Sequence, residues 1–213
     1  MPVILIYLLT ALGAYLLGSI PFGLLAAKAK GVDLRTAGSG NIGATNAMRV
    51  LGKPAGIVVL LLDALKGYAA AAWLPHLVIT LLGASSPEPE LLPLLAGICA
   101  VLGHNYTCWL RFKGGKGIAT TGGVYLALAP WAVLIALVVF LIAVGLTRYV
   151  SVGSIAAAVA LPTAVWILKP ADPCLCIVTS ALGVLAIYKH KSNIQRLRAG
   201  TENRLGQKAG GAK

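Results

Sequence analysis

Three short runs of glycine, hydroxyl, amide and cationic residues stand out from an otherwise apolar chain. They are Gly38-Ser39-Gly40-Asn41-Ile42-Gly43-Ala44-Thr45-Asn46, Phe112-Lys113-Gly114-Gly115-Lys116-Gly117, and residues 188–197 around His190 and Asn193. In the first run, glycines permit positive φ and close backbone approach, so successive N–H groups can line an anion-binding concavity. Ser39, Asn41, Thr45 and Asn46 add side-chain donors, and Arg49 adds a planar fork suited to phosphate oxygens. The G-x-G-x-x-G spacing of Gly38, Gly40 and Gly43 is not a dinucleotide fingerprint, because no strand precedes it and no βαβ unit surrounds it.

The second run follows Gly103-His104-Asn105 and carries Lys116 on a glycine turn, where the ammonium can hold phosphate as a point charge. It is not a P-loop: Leu110 and Gly117 stand where that motif requires glycine and Ser/Thr. His104 fits either a structural hydrogen bond or an active-site role. Trp109 stands where the His-x4-Asp arrangement of the large membrane acyltransferase family with a histidine base would place its aspartate, which removes that arrangement. In the third run, His190 and Asn193 share one face if the helix continues, and Glu202 lies further on. The cations Lys191, Arg196, Arg198, Arg204 and Lys208 read as a snorkelling basic tail. Ser151 and Ser154 follow Arg148 at the mouth of an apolar stretch, and either hydroxyl could reach a site there. Asp63 and Lys66 sit within another; each would cost about 2.5–3.5 kcal/mol unpaired in lipid, and their i,i+3 spacing points to mutual pairing.

The elements that position these residues are membrane spans. Of 213 residues, 58% are hydrophobic and 11% charged, and the mean hydropathy is +0.86. A hydrocarbon core of about 30 Å needs roughly 20 apolar residues per helix. Val3–Ala27, Pro54–Leu74, Leu91–Leu110, Trp131–Thr147, Val152–Leu168 and Asp172–Tyr188 qualify, while Gly117–Ala129 is short and rich in glycine and threonine. The first stretch is too long, and with Pro21 too interrupted, for a cleaved signal peptide. If Gly117–Ala129 and Trp131–Thr147 are separate legs turning at Pro130, every basic residue except Lys66 and Lys169 faces one side. The positive-inside rule then predicts an all-α integral membrane protein: a seven-span helical bundle with its N-terminus outside and C-terminus cytoplasmic. All three polar runs fall on the cytoplasmic side, Gly117–Ala129 being tilted or partly re-entrant.

Residues 1–213 read as a single polytopic domain, with 75–90 an ordinary outer connector and 198–213 a flexible basic tail. The net charge of +12 reads as topology plus attraction to anionic lipid. Nucleic acid is excluded as a partner because the cations flank spans and form no separate soluble domain. Cys99, Cys108, Cys174 and Cys176 give neither a disulfide framework nor zinc spacing, so no metal and no cofactor is expected.

The run GSIPFG at 18–23, GSGNIGATN at 38–46, D-x-x-K-G at 63–67, GHN with FKGGKG, and the H-x-x-N tail together resemble the bacterial acyl-phosphate-dependent glycerol-3-phosphate acyltransferase family, in the right order over essentially the whole chain. The resemblance implies a multi-pass inner-membrane enzyme with a cytoplasmic active site. It would move a fatty acyl group from acyl phosphate to the 1-hydroxyl of sn-glycerol 3-phosphate, giving lysophosphatidic acid and inorganic phosphate. The acyl-phosphate-forming enzyme would be a partner. Family motifs carry over onto Ser39, Thr45 and Arg49, onto Gly115, Lys116 and Gly117, and onto His190, Asn193 and Glu202, with Ser154 sharing its assignment with Ser151.

Chemistry fits that implication. Both substrates carry phosphate, and the cations supply two anionic sites. An acyl phosphate is already activated, so positioning and charge stabilisation suffice. Arg49, Lys116, His190 and Asn193 are expected to hold glycerol phosphate, with Ser39, Thr45 and backbone N–H groups orienting the acyl phosphate. The proton acceptor is His104, His190 or a substrate phosphate oxygen, and an acyl-Ser39 intermediate is the mechanistic rival. Asp33, Asp63 and Asp172 are scattered by topology, which excludes a metal-dependent CDP-alcohol phosphotransferase. A phosphate or organic-anion transporter is the other class, but it calls for inverted halves and midplane polar sites.

Overall fold

The computed structural model describes residues 3–83 and 91–206. Among these, every regular element is helical. The chain forms two compact units, Met1–Leu128 and Ala129–Lys213.

The first unit holds α1 (Val3–Ser19), α2 (Phe22–Lys28), α3 (Ala44–Leu51), α4 (Lys53–Ala72), α5 (Leu74–Leu82), α6 (Leu91–Asn105), a 3₁₀ turn (Cys108–Leu110) and α7 (Ile118–Leu128). The α1–α2 break falls at Ile20-Pro21, where the proline ring drives the preceding residue out of the helical region and removes a donor. Last-turn carbonyls freed at this break find partners elsewhere: Thr107 Oγ1 donates to the Ser19 carbonyl at 2.7 Å and Lys66 Nζ to the Ile20 carbonyl at 2.8 Å. Backbone approach through glycine joins the long helices. Gly18 lies on the Ala100 backbone and Gly103 on the Tyr15 carbonyl, joining α1 to α6; Gly67 lies on the Thr120 carbonyl and Gly123 on Ala64, joining α4 to α7. Where lipid is as apolar as leucine, such small-residue contacts carry helix association. The buried alanines Ala14, Ala70, Ala96 and Ala100 form one core cluster beside them.

In the second unit are α8 (Pro130–Thr147), α9 (Val150–Leu168), α10 (Pro173–Lys189) and α11 (Lys191–Arg198). Gly153 brings α9 onto Phe140 and Val144 of α8. The Asp172 carboxylate caps α10, accepting from the Leu175 N–H at 2.8 Å. α10 and α11 meet at His190 with a bend of 51°.

Among the described residues, five helices are long and apolar enough to cross a membrane, or up to six if the bent α10–α11 pair counts as one span. The seven-span expectation therefore needs α7, whose 11 residues rise only about 16 Å at 1.5 Å each. Two further expectations change. Residues 74–82 are not connector but α5, with Pro75 in its first turn and Gly83 closing it at φ 59°, because proline starts a helix as readily as it breaks one. Residues 84–90, including Glu88 and Glu90, lie outside the described residues. The tail is not free as far as residue 206: the Leu205 N–H donates to the Arg148 carbonyl at 2.7 Å, while 207–213 lie outside the described residues.

Candidate active site

The first run is organised from within by Asn46. Its carboxamide is buried; Nδ2 faces the carbonyls of Leu34 (3.3 Å), Ala37 (3.0 Å) and Asn41 (2.8 Å), and Oδ1 accepts from the Ser39 N–H at 2.8 Å. Gly38 (φ 60°) packs so closely on that amide that any Cβ would collide with Oδ1. Asn41 Oδ1 accepts from the Gly43 N–H at 2.8 Å, and the Gly40 N–H donates to the Ala37 carbonyl at 3.1 Å. The Asn46 amide is therefore engaged at both ends in shaping the loop, while Asn41 spends its Oδ1 there. What the loop presents is the exposed Ser39, the exposed Thr45, and Arg49 one helical turn after Thr45 on the same side of α3. The opposite side, with Ala47, packs into a cluster with Ala27, Leu34 and Val59.

Asp33 lies in the same loop and is bound by Arg35 through Nε (3.0 Å to both oxygens) and Nη2 (2.6 Å). The guanidinium and the Arg35 N–H hold its carboxyl down to about 2. A carboxylate so weakly basic is no general base.

The second run is strapped to the end of α6. The Gly114 N–H donates to the Asn105 carbonyl at 3.2 Å, the Gly115 N–H to the His104 carbonyl at 3.0 Å, and the Phe112 N–H to the Thr107 carbonyl at 3.0 Å. Arg111 and Phe112 both adopt left-handed φ (52° and 61°), a strained pair for side-chain-bearing residues. Gly115 crosses the imidazole of His104, where a Cβ would strike Nε2, and Gly117 (φ 81°) passes the Asn105 side chain equally closely. Lys116 thus stands, half-buried, between two glycines fixed by α6. Behind the strap, Asp63 Oδ1 lies 2.8 Å from Lys66 Nζ and 3.5 Å from His104 Nδ1. The Asp63–Lys66 pairing matches the i,i+3 expectation. The approach of His104 to Asp63 is a contact the sequence reading missed, although an ionisable pair inside a span was the signal for it.

The third run does not continue as one helix. His190 sits at the α10–α11 junction, and Asn193 in the first turn of α11; both are buried. His190 Nδ1 lies 2.8 Å from the Ala186 carbonyl. Because a carbonyl can only accept, Nδ1 carries the proton in this contact. Asn193 Nδ2 donates to Glu202 Oε1 and Arg196 Nε to Glu202 Oε2, both at 2.7 Å. Glu202 is therefore an orienting group for Asn193 rather than a direct ligand for an anion. Its segment is returned to the α8–α9 turn by Leu205 on Arg148 and by Arg204 Nε donating to the Tyr149 hydroxyl at 3.0 Å, a pairing the sequence reading passed over as featureless tail. Ser154 Oγ donates to its own helix at the Val150 carbonyl, 2.9 Å away. The Ser151 hydroxyl is buried with no hydrogen-bond partner among the described residues. Of the two serines, Ser151 is the one whose hydroxyl is not committed to its own helix.

Fold and site define a class: a polytopic helical membrane protein whose phosphate-suited cations and donors stand on glycine-shaped loops and helix ends. The profile of the glycerol-3-phosphate acyltransferase family matches residues 8–200. A glycerol-3-phosphate acyltransferase of Geobacter metallireducens is 55% identical over 94% of this chain and 98% of its own. One from Geotalea daltonii is 48% identical over 90% and 94%. The crystal structure of PlsY (YgiH), an integral membrane glycerol 3-phosphate acyltransferase, in its glycerol 3-phosphate form superposes with a TM-score of 0.82 at 41% identity, covering 94% of this chain and 96% of that one. Its lysophosphatidic acid form gives 0.79 at 40% identity. The chain belongs to the glycerol-3-phosphate acyltransferase family.

Proposed function

We propose that this protein acylates the 1-hydroxyl of sn-glycerol 3-phosphate from a fatty acyl phosphate, at the cytoplasmic face of the inner membrane. Family membership supports the acceptor and the reaction. The observation within this chain that carries the phosphate chemistry is Lys116, held between two glycines strapped to the end of α6. Lys116 and Arg49 hold phosphate; Ser39 and Thr45 orient the acyl phosphate. His190 Nε2 takes the hydroxyl proton as the alkoxide oxygen attacks the acyl carbon. The acyl carbon–oxygen bond to phosphate breaks, and the phosphate leaves with the bonding pair. Asn193, oriented by Glu202, and the Ser151 hydroxyl position the glycerol phosphate. No group in this scheme is a strong nucleophile, as suits a donor that is already activated.

The test is phosphate release by purified, detergent-solubilised protein given palmitoyl phosphate with and without glycerol 3-phosphate. Release that depends on glycerol 3-phosphate, with lysophosphatidic acid formed, is the expected result. Acylated protein trapped by hydroxylamine would replace direct transfer with an acyl-Ser39 route. Folded protein without turnover would remove the assignment.

A further inference from the structure

Resting on the reading of Lys116 as a phosphate site, we infer that Asp63 is a positioning residue, which through His104 holds the Gly114–Gly117 strap and its lysine in place. The cluster joins three elements. Lys66, on α4, reaches the Asp63 carboxylate (2.8 Å), the Ile20 carbonyl at the α1–α2 break (2.8 Å) and the Phe22 ring (5.6 Å to its centroid). His104, on the last turn of α6, brings Nδ1 to 3.5 Å from the same carboxylate oxygen. Its other nitrogen lies under the Gly115 backbone, and its own carbonyl accepts the Gly115 N–H. Both ring nitrogens thus face protein, which fits a wedge and not a proton acceptor for substrate.

Asp63, Lys66 and His104 are all buried. Packing alone does not call for charge here, because a buried ion pair is commonly replaced by apolar residues at no cost in stability. What the carboxylate adds is direction. It favours the Nδ1–H tautomer and sets the ring's orientation, so the Nε2 edge that Gly115 meets is held in place. A rotated ring would push against the strap and move Lys116.

The experiment compares Asp63→Asn/Lys66→Met, His104→Ala, His104→Asn and Lys116→Ala in the palmitoyl phosphate assay, with KM for glycerol 3-phosphate and kcat measured separately. The Asn amide nitrogen reaches the position of Nδ1, so His104→Asn keeps a donor facing Asp63. The charge-free pair and His104→Ala are expected to raise KM about tenfold with kcat within about threefold, and His104→Asn to recover much of the loss. Adding His104→Ala to Lys116→Ala should cost little more, because one acts through the other. A collapse of kcat at unchanged KM in His104→Asn, or an unchanged KM in the charge-free pair, overturns the inference. If Lys116→Ala alone leaves KM unchanged, the phosphate reading fails instead. Should the variants not fold, the nitrogen-15 spectrum of His104 in the wild-type protein decides: a proton on Nδ1 is expected, and a proton on Nε2 overturns it.

Discussion

At the residue scale, the types of side chain were legible and their directions were not. Asn46 and Arg49 stand three positions apart in one polar run, yet Asn46 turns inward to hold three carbonyls while Arg49 remains half-exposed. An amide serves a loop or a ligand equally well, and only the backbone around it decides. Asn46→Ala is therefore expected to unfold more easily by about 1–3 kcal/mol, the cost of orphaning buried carbonyls, as read by thermal unfolding in detergent. The two serines separate in the same manner. Ser151→Ala should raise KM for glycerol 3-phosphate several-fold, whereas Ser154→Ala, which removes only a bond to its own helix, should match wild type in steady-state kinetics. Asp33 gives a prediction in pH. Its folded pKa of about 2 is depressed from 3.8, so whatever the Arg35 pair contributes is present above the ordinary carboxylate range and lost as pH falls through about 2. Asp33 stays ionised across neutral pH, and Asp33→Asn should leave the acid limb of the rate–pH profile unmoved above about pH 5. A displaced limb would put Asp33 back among the titrating groups of the reaction.

At the element scale, hydropathy located the long helices to within a few residues but not the devices that pack them. The sequence shows Gly18, Gly67, Gly103 and Gly123 only as glycines within apolar runs. Their role appears when Gly123 meets Ala64 and Gly67 meets Thr120 across α4 and α7. Gly123→Leu is expected to drive these helices apart, costing at least about 1–3 kcal/mol as overpacking. Gly122→Leu, one position along where nothing lies near the site of a Cβ, should be tolerated; equal losses for both would refute close approach as the cause. The α5 helix is hidden in the sequence because Pro75 at its start suits a connector equally well, and the bend at His190 because a periodic pattern carries no sign of a change in axis. The return of residues 202–206 to the α8–α9 turn was likewise invisible, since it rests on a backbone bond between Arg148 and Leu205, 57 positions apart.

At the scale of the whole molecule, charge bias and helix length make opposing demands on α7. Sidedness of the cations requires the chain to change sides between Lys113 and Trp131, while an 11-residue helix covers only about half of a 30 Å core. The irregular segment 113–117 ahead of it and Ala129 after it can supply the remainder only if the bilayer is thinned there or polar backbone is shielded by protein. Gly114, Gly115 and Gly117 are packed against His104 and Asn105, which is the second of these conditions. We therefore expect α7 to complete a crossing. Single cysteines placed at the exposed positions Thr36, Phe112, Trp131, Ala171 and Arg198, in a chain with Cys99, Cys108, Cys174 and Cys176 changed to serine, would read this with a membrane-impermeant thiol reagent. Labelling of residues 36, 112 and 198 from the cytoplasmic side alone, and of 131 and 171 from the outside alone, is the expected pattern. If 131 labels with 112, α7 is a re-entrant hairpin leg. The tail carrying His190 and Asn193 would then emerge on the side opposite Lys116, and those residues could not serve the same glycerol phosphate.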